Sequence, residues 1–387
     1  MRVHHQFRSF QQILARYDGK IPLHRFLVAY YKQNKQMGST DRRWASRYVY
    51  AYFRLGKALL NKNLEVRLAV GDFLVNSTPS LIVAEYLPEY QEHQAKPLEE
   101  KLKMIKIAFP AFNISAIFPF LNELSKKVDF EEFLTSFLVQ PDVFIRVKAV
   151  DKIAIQQLLK GAGIDVQDLG DCTLAVPNGT KLEQFLPQTT GYYIQDIASQ
   201  KTAAYFKPKA YEYWWDCCAA SGGKSILLHQ LEPSVKLLVS DVRESILENL
   251  APRFKQAGII GYQKKVLDLR YSVKSDLHAF NFDGILLDAP CTGSGTWGRT
   301  PEMLSYFDAS KINYFVKLQR DIALNVVPYL KSGQPLIYMT CSVFEAENEG
   351  NVAYFNANLP LHLESMELIQ KHTQKGDTLF VARFIKK

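Results

Sequence analysis

Two short apolar runs in this sequence lead to a cysteine. The run Asp283-Gly-Ile-Leu-Leu-Asp288-Ala-Pro290-Cys291 passes into Thr-Gly293-Ser-Gly295-Thr-Trp297, and further along Leu336-Ile-Tyr-Met-Thr340 ends on Cys341-Ser342. A strand that ends in a polar, glycine-containing turn delivers its last residues to the ligand edge of an α/β sheet. Both thiols are therefore expected at one pocket. Cysteine reacts as its thiolate, a soft nucleophile. The pattern points to covalent chemistry on an electrophilic carbon, with a second thiol close by. Cys172 and Cys217 read instead as ordinary core residues.

The elements that must position these thiols follow from the surrounding pattern. Tyr211-Glu-Tyr-Trp214-Trp215-Asp216-Cys217-Cys218-Ala219-Ala220-Ser221-Gly222-Gly223-Lys224-Ser225 reads as strand, small-residue turn and helix. Small residues let backbone approach a ligand at a helix N-terminus. The stretch is neither GxGxxG nor a Walker A loop, because Cys218 stands where the latter needs its first glycine. The next strand, 236–240, ends at Asp241. An acid there holds ribose hydroxyls in nucleotide-binding α/β domains, with helix capping as the ordinary alternative. Asp268 follows a third strand and suits an adenine amino group or a loop cap. A helix over 309–330 carries Leu318, Ile322 and Val326 on one side and precedes the strand 335–339. Glu345, Glu347, Asn348 and Glu349 are expected to start another helix, where acids suit the positive end of the helix dipole. Residues 378–384 read as the last strand. The fold class expected is α/β, a doubly wound, mostly parallel sheet holding an adenosine-bearing cofactor.

The N-terminal third differs in composition. Residues 1–67 hold fourteen Lys or Arg against three Asp or Glu, in a chain of formal charge +8. Pro22 suits a first helical turn, and Leu23, Phe26, Leu27 and Tyr30 recur at helical spacing. Ser39-Thr40-Asp41 reads as the cap of a helix running through Arg42-Arg43-Trp44 to Arg54. That helix presents an aromatic face and an arginine face, which suits a phosphate backbone. The alternative is a helix that packs through its aromatics with solvated arginines. Further on, 143–147 reads as a strand carrying Arg146, suited to a phosphate or to a structural salt bridge. Residues 151–160 read as a helix ended by Gly161-Ala-Gly163, and 174–176 as a strand edge. No run approaches eighteen apolar residues, so no membrane-spanning helix is expected. The N-terminus lacks the apolar core of a secretory signal. Five sparse cysteines suit a reducing cytoplasm, and with neither CxxC nor HExxH no metal site is expected.

Three motifs together resemble the Nop2/Sun (Fmu) family of S-adenosylmethionine-dependent RNA cytosine-C5 methyltransferases. They are Cys218-Ala-Ala-Ser-Gly-Gly-Lys224, Asp288-Ala-Pro-Cys291-Thr-Gly-Ser-Gly295 and Tyr338-Met-Thr-Cys341-Ser342. The resemblance runs from about residue 140 to the end and includes Tyr193-Ile-Gln195-Asp-Ile-Ala-Ser199-Gln200 and Glu347-Asn348-Glu349. Residues 1–125 resemble, more loosely, the NusB-like helical domain of the bacterial 16S rRNA enzyme of that family. Ser221 stands where the family usually carries proline.

The resemblance implies a class I, Rossmann-like methyltransferase domain over 206–387. A small α+β unit over 126–205 and an RNA-binding helical domain over 1–125 would precede it. It implies S-adenosyl-L-methionine as cofactor and RNA, 16S rRNA above all, as partner, with no obligate protein partner. It makes Cys341 the nucleophile and Cys291 the group that assists product release. Asp288 would lie between cofactor and target base; the chemistry would have Lys224 orient Asp288 or lower a thiol pKa by its charge. Cys218, Ala219, Ala220, Ser221, Gly222, Gly223 and Lys224 would surround the methionine and ribose portions of the cofactor, Asp241 would hold ribose hydroxyls, and Asp268 would lie by adenine. The rivals are a tRNA or other rRNA cytosine methyltransferase, a DNA-modifying enzyme, and a non-catalytic RNA-binding or ribosome-assembly factor that keeps the fold.

Overall fold

A computed structural model describes residues 2–187 and 191–387. Met1 and residues 188–190, which fall in the expected helical domain and linking unit, lie outside the described residues. The chain divides into two compact units. One comprises 1–122, 129–140 and 297–309; the other comprises 123–128, 141–296 and 310–387.

The first unit is helical. Its longer helices are Arg2–Arg16, Leu23–Gln33, Ser39–Arg54, Leu64–Val75 and Leu98–Ala108. Leu23, Leu27 and Tyr30 are buried, as their spacing requires. Ser39, Thr40 and Asp41, expected as a cap, form the first turn of their helix instead. Gly38 is the capping residue, and the Asp41 carboxylate reaches back to accept its N–H at 3.3 Å.

The expected arginine face is only partly turned inward: Arg54 is buried, Arg42 and Arg47 are half-buried and Arg43 is exposed. Arg47 makes a two-pronged ion pair with Asp72, at 2.6 and 2.8 Å. Arg67 lies 4.0 Å over the Tyr52 ring and donates to the Ala58 and Gly56 carbonyls. Arg54 is fully buried and donates to the carbonyls of Phe137, Val139 and Gly298 and to Gln140 Oε1. Burial pulls its pKa down to about 10. Guanidinium suits this site because its planar fork directs up to five N–H donors to acceptors spread around it, where a lysine offers three from one point.

The second unit is built on two sheets. The smaller contains β1 (Val143–Val147), β2 (Gln167–Asp168), β3 (Thr173–Val176) and β4 (Tyr192–Ile194), in the order β2-β3-β1-β4. The segment expected as a strand edge, 174–176, lies inside this sheet, paired on both sides. Arg146 donates to Gln230 and lies 5.3 Å from the Tyr193 ring centroid.

The larger sheet holds β5 (Tyr213–Asp216), β6 (Lys236–Asp241), β7 (Gln263–Val266), β8 (Gly284–Asp288), β9 (Pro335–Thr340), β10 (Leu361–Gln370) and β11 (Thr378–Lys386). Their order is β10-β11-β9-β8-β5-β6-β7. The pairings among β5 to β9 are parallel, and those of β11 with β9 and β10 are antiparallel. β10 has no counterpart in the sequence expectations, because a register shift between Leu363 and Ser365 interrupts its alternation.

Alternate residues of the central strands enter opposite cores. Trp215, Leu238, Ile285, Leu287, Leu336 and Tyr338 share one face with Ile322, Val326 and Phe355. Trp214, Leu237, Val239, Leu286, Ile337 and Met339 share the other with Leu228, Leu247 and Phe254. Helices thus cover both faces, which is the doubly wound arrangement expected.

Replacing Arg54 with leucine should destabilise the helical unit by about 3 kcal/mol or more, since it strands several buried acceptors. Denaturant unfolding, compared with Arg54→Lys, measures it. A loss under about 1 kcal/mol would contradict the structural role.

Candidate active site

β8 and β9 are adjacent, parallel and in register, with Asp288 opposite Met339. The chain therefore leaves the two strands side by side. The Ala289 N–H is held by the Met339 carbonyl at 2.9 Å and the Gly295 N–H by the Cys341 carbonyl at 2.9 Å. Gly295 fits because a Cβ there would stand 2.1 Å from the Thr378 carbonyl oxygen. The result is a Cys291 Sγ to Cys341 Sγ separation of 3.3 Å. Both thiols are free and partly exposed. The Cys291 pKa is pushed well up by the Cys341 thiol it faces, then by burial and by the charge of Glu347.

Both cysteines line a cavity of about 650 Å³, together with Cys218, Ala220, Asp241, Asp268 and Asp288. These are seven of the residues singled out in the sequence. Lys224 stands behind the cavity wall, its Nζ 3.3 Å from Asp288 Oδ2 and 2.7 Å from Ser199 Oγ. Ala219, Ser221, Gly222 and Gly223 shape the turn rather than line the cavity. The Ala219 N–H binds the Ser240 carbonyl at 2.9 Å. Ser221 Oγ, where proline was the family expectation, pairs with Arg253. Gly222 has φ +80°, and a Cβ would meet the Phe254 ring at 2.5 Å. Cys217 is buried, as expected, and shares the cavity wall. Cys172 is only partly buried and packs at the edge of a small core.

Asp241 and Asp268 each carry an arginine two residues later. Arg243 holds Asp241 through Nε at 2.9 Å and an Nη at 3.1 Å, and the Ala220 N–H adds a bond at 3.1 Å. Burial works against the Asp241 carboxylate, yet the Arg243 bonds keep its pKa below the usual value. Arg270 grips Asp268 in the same way, at 2.6 to 3.1 Å, and lowers its pKa. Both arginines line the cavity, as do Tyr314 and Leu318 of the helix Ser310–Val326. The sequence signals were present. Asp-x-Arg occurs at two successive strand ends, and Tyr314, Leu318 and Ile322 lie four residues apart on one helical face.

Asn348 and Glu349 open the next helix as its N-cap and first residue, as expected, whereas Glu345 and Glu347 precede it. Glu347 is drawn into the protein instead, because its carboxylate meets donors from both cysteine-bearing turns.

A family profile described as 16S rRNA methyltransferase RsmB/F matches residues 203–384. The Nop2/Sun resemblance is borne out by this match. A ribosomal RNA small subunit methyltransferase B of Salmonella arizonae is 32% identical over 206 residues, covering 50% of this chain and 47% of that protein. One from Shewanella oneidensis is 35% identical over 168 residues, covering 42% and 38%. The chain spans about half the length of the curated relatives it matches. Among solved structures, PH0851 is similar in fold over 98% of this chain and 97% of its own, with a TM-score of 0.68 at 21% identity. Residues 203–384 thus carry a Rossmann-like, mostly parallel sheet, and the chain begins with a helical region.

Beneath the site lies Asp216, at the end of β5. It is buried; its Oδ2 accepts from Ser225 Oγ at 2.6 Å, and its Oδ1 has no partner among the described residues. Burial raises its pKa to about 7. An acid raised on folding binds its proton more tightly in the folded state, so stability falls as pH rises from about 4 to about 7. Asp216→Asn should therefore raise the melting temperature at pH 8 and lose that advantage as pH approaches 4. An advantage independent of pH would contradict the assignment.

Proposed function

We propose that this protein transfers a methyl group from S-adenosylmethionine to C5 of a cytosine in RNA, with 16S rRNA as the preferred substrate. The observation that carries the proposal is the pair of thiols 3.3 Å apart in the lining of a cavity that Asp241, Asp268 and Asp288 also line. The profile match over residues 203–384 supports it. About 650 Å³ suits a nucleoside-sized ligand. Asp241 and Asp268 offer acceptors for hydroxyl and amino groups, once Arg243 and Arg270 share or release them. When bound, S-adenosylmethionine supplies an electrophilic methyl group.

The chain's own residues supply the rest. Cytosine C5 is a poor nucleophile. A Cys341 thiolate adding at C6 makes C5 enamine-like. In this reading Asp288, oriented by Lys224, donates a carboxyl proton to N3 of the base, which stabilises the adduct. Cys291 assists removal of the C5 proton, after which elimination returns Cys341. The base must be unpaired or flipped to reach the thiols. We further propose that residues 1–125 bind RNA shape and backbone, that 126–205 link them to the catalytic domain at 206–387, and that the protein works in the cytoplasm. Five free cysteines support a reducing compartment.

Incubation with S-adenosylmethionine and RNA tests the chemistry. Cys341→Ala should abolish a covalent protein–RNA adduct, while Cys291→Ala should let it accumulate. An unchanged adduct in Cys341→Ala would overturn the assignment. A cytosine-methylation map of cells with and without the gene tests the substrate. An unchanged rRNA pattern with a lost tRNA site would replace 16S rRNA by tRNA.

A further inference from the structure

We propose that Glu347 is a positioning residue: its carboxylate bridges the turn after Cys291 to the turn after Cys341 and so sets the distance between the two sulfurs. Glu347 is fully buried. Its Oε1 accepts from the Thr292 N–H at 2.9 Å and from Gln319 Nε2 at 2.9 Å. Its Oε2 accepts from Thr292 Oγ1 at 2.5 Å and from Ser342 Oγ. Thr292 directly follows Cys291, and Ser342 directly follows Cys341, so each thiol is one residue from an anchor on the same carboxyl group.

The neighbours of Glu347 complete the clamp. Asn348 takes the Thr340 hydroxyl at 2.6 Å and donates to the Ser342 carbonyl at 2.9 Å, which brackets Cys341 on both sides. Tyr338 fixes the Glu347 backbone, its hydroxyl donating to the carbonyl at 2.6 Å. Burial raises the Glu347 pKa, against the pull of the bonds from Ser342, Thr292 and Gln319; four acceptor bonds fix the carboxyl group's position. Placing it under two turns holds both against thermal drift where a misplacement of about 1 Å can cost on the order of a hundredfold in rate.

Its catalytic meaning rests on the activity proposed above, but the geometry is testable without RNA. Diamide oxidises two thiols to a disulfide and is itself reduced to the hydrazine, taking up both protons. Sulfurs 3.3 Å apart need only a small approach to the bond length of about 2.05 Å. Peptide mass spectrometry would follow the Cys291–Cys341 bridge in full-length protein. Glu347→Ala should slow bridging about tenfold or more, at S-adenosylmethionine affinity close to the parent's. Glu347→Gln should recover most of the rate, because its amide oxygen still accepts from the Thr292 N–H and its NH₂ meets hydroxyls that can turn to accept. Thr292→Val, which keeps the backbone bond, should fall between them and carries the test if Glu347→Ala does not fold. A role confined to stability would lower the melting temperature but leave the bridging rate of folded protein unchanged, and that result would overturn the proposal. In a second arm, adduct formation with RNA should fall in Glu347→Ala and recover in Glu347→Gln. No adduct in the parent protein, with bridging still dependent on Glu347, would reject the activity and keep the geometry.

Discussion

The parallel pairing of β8 with β9 is the constraint on which the site depends. Asp288 lies opposite Met339, so the two chains reach the sheet edge in step. One residue of slip would send Cys291 or Cys341 to the other face, since side chains alternate along a strand. The register is held from inside. Leu287, Leu336 and Tyr338 enter one core, and Leu286, Ile337 and Met339 enter the other. Shifting either strand would exchange the two sets. The chemistry at the edge therefore depends on apolar burial beneath it.

Around that edge the protein spends buried polar groups on order. Glu347, Asn348, Thr292 and Ser342 are all nine-tenths or more buried and bonded to one another. Arg54 and Arg67 serve the helical unit in a similar way, as multivalent donors to main-chain carbonyls. Buried charges are costly unless their hydrogen bonds are satisfied. Such groups specify one arrangement, because few others satisfy them all.

Much of the second unit was legible in the sequence. The strands around Trp214, Leu238, Leu286 and Ile337 are apolar runs ending in small or polar turns, and those features encode strand and turn locally. Residues that act through distant partners were harder to read. The sequence around Glu347 is that of a helix start, and nothing local says that Thr292 will meet it. Arg54 looked like part of a basic face until carbonyls from 137 and 139 reached it. β10 was hidden by its irregular register, so its partnership with β11 emerges only when the sheet closes. Local pattern predicts elements; long-range hydrogen bonding decides what a polar side chain is for.

The passage of the chain out of one unit and back has an evolutionary consequence. Residues 297–309 belong to the helical unit, although they lie between β8 and β9 in sequence. Trp297 and Phe307 from this excursion contact Phe118 and Phe120, which come from the N-terminal part of the same unit. The helical unit is therefore not a cassette joined at a single seam. Exchanging the N-terminal residues alone would orphan that aromatic cluster, because part of it is carried by the loop between the two cysteines.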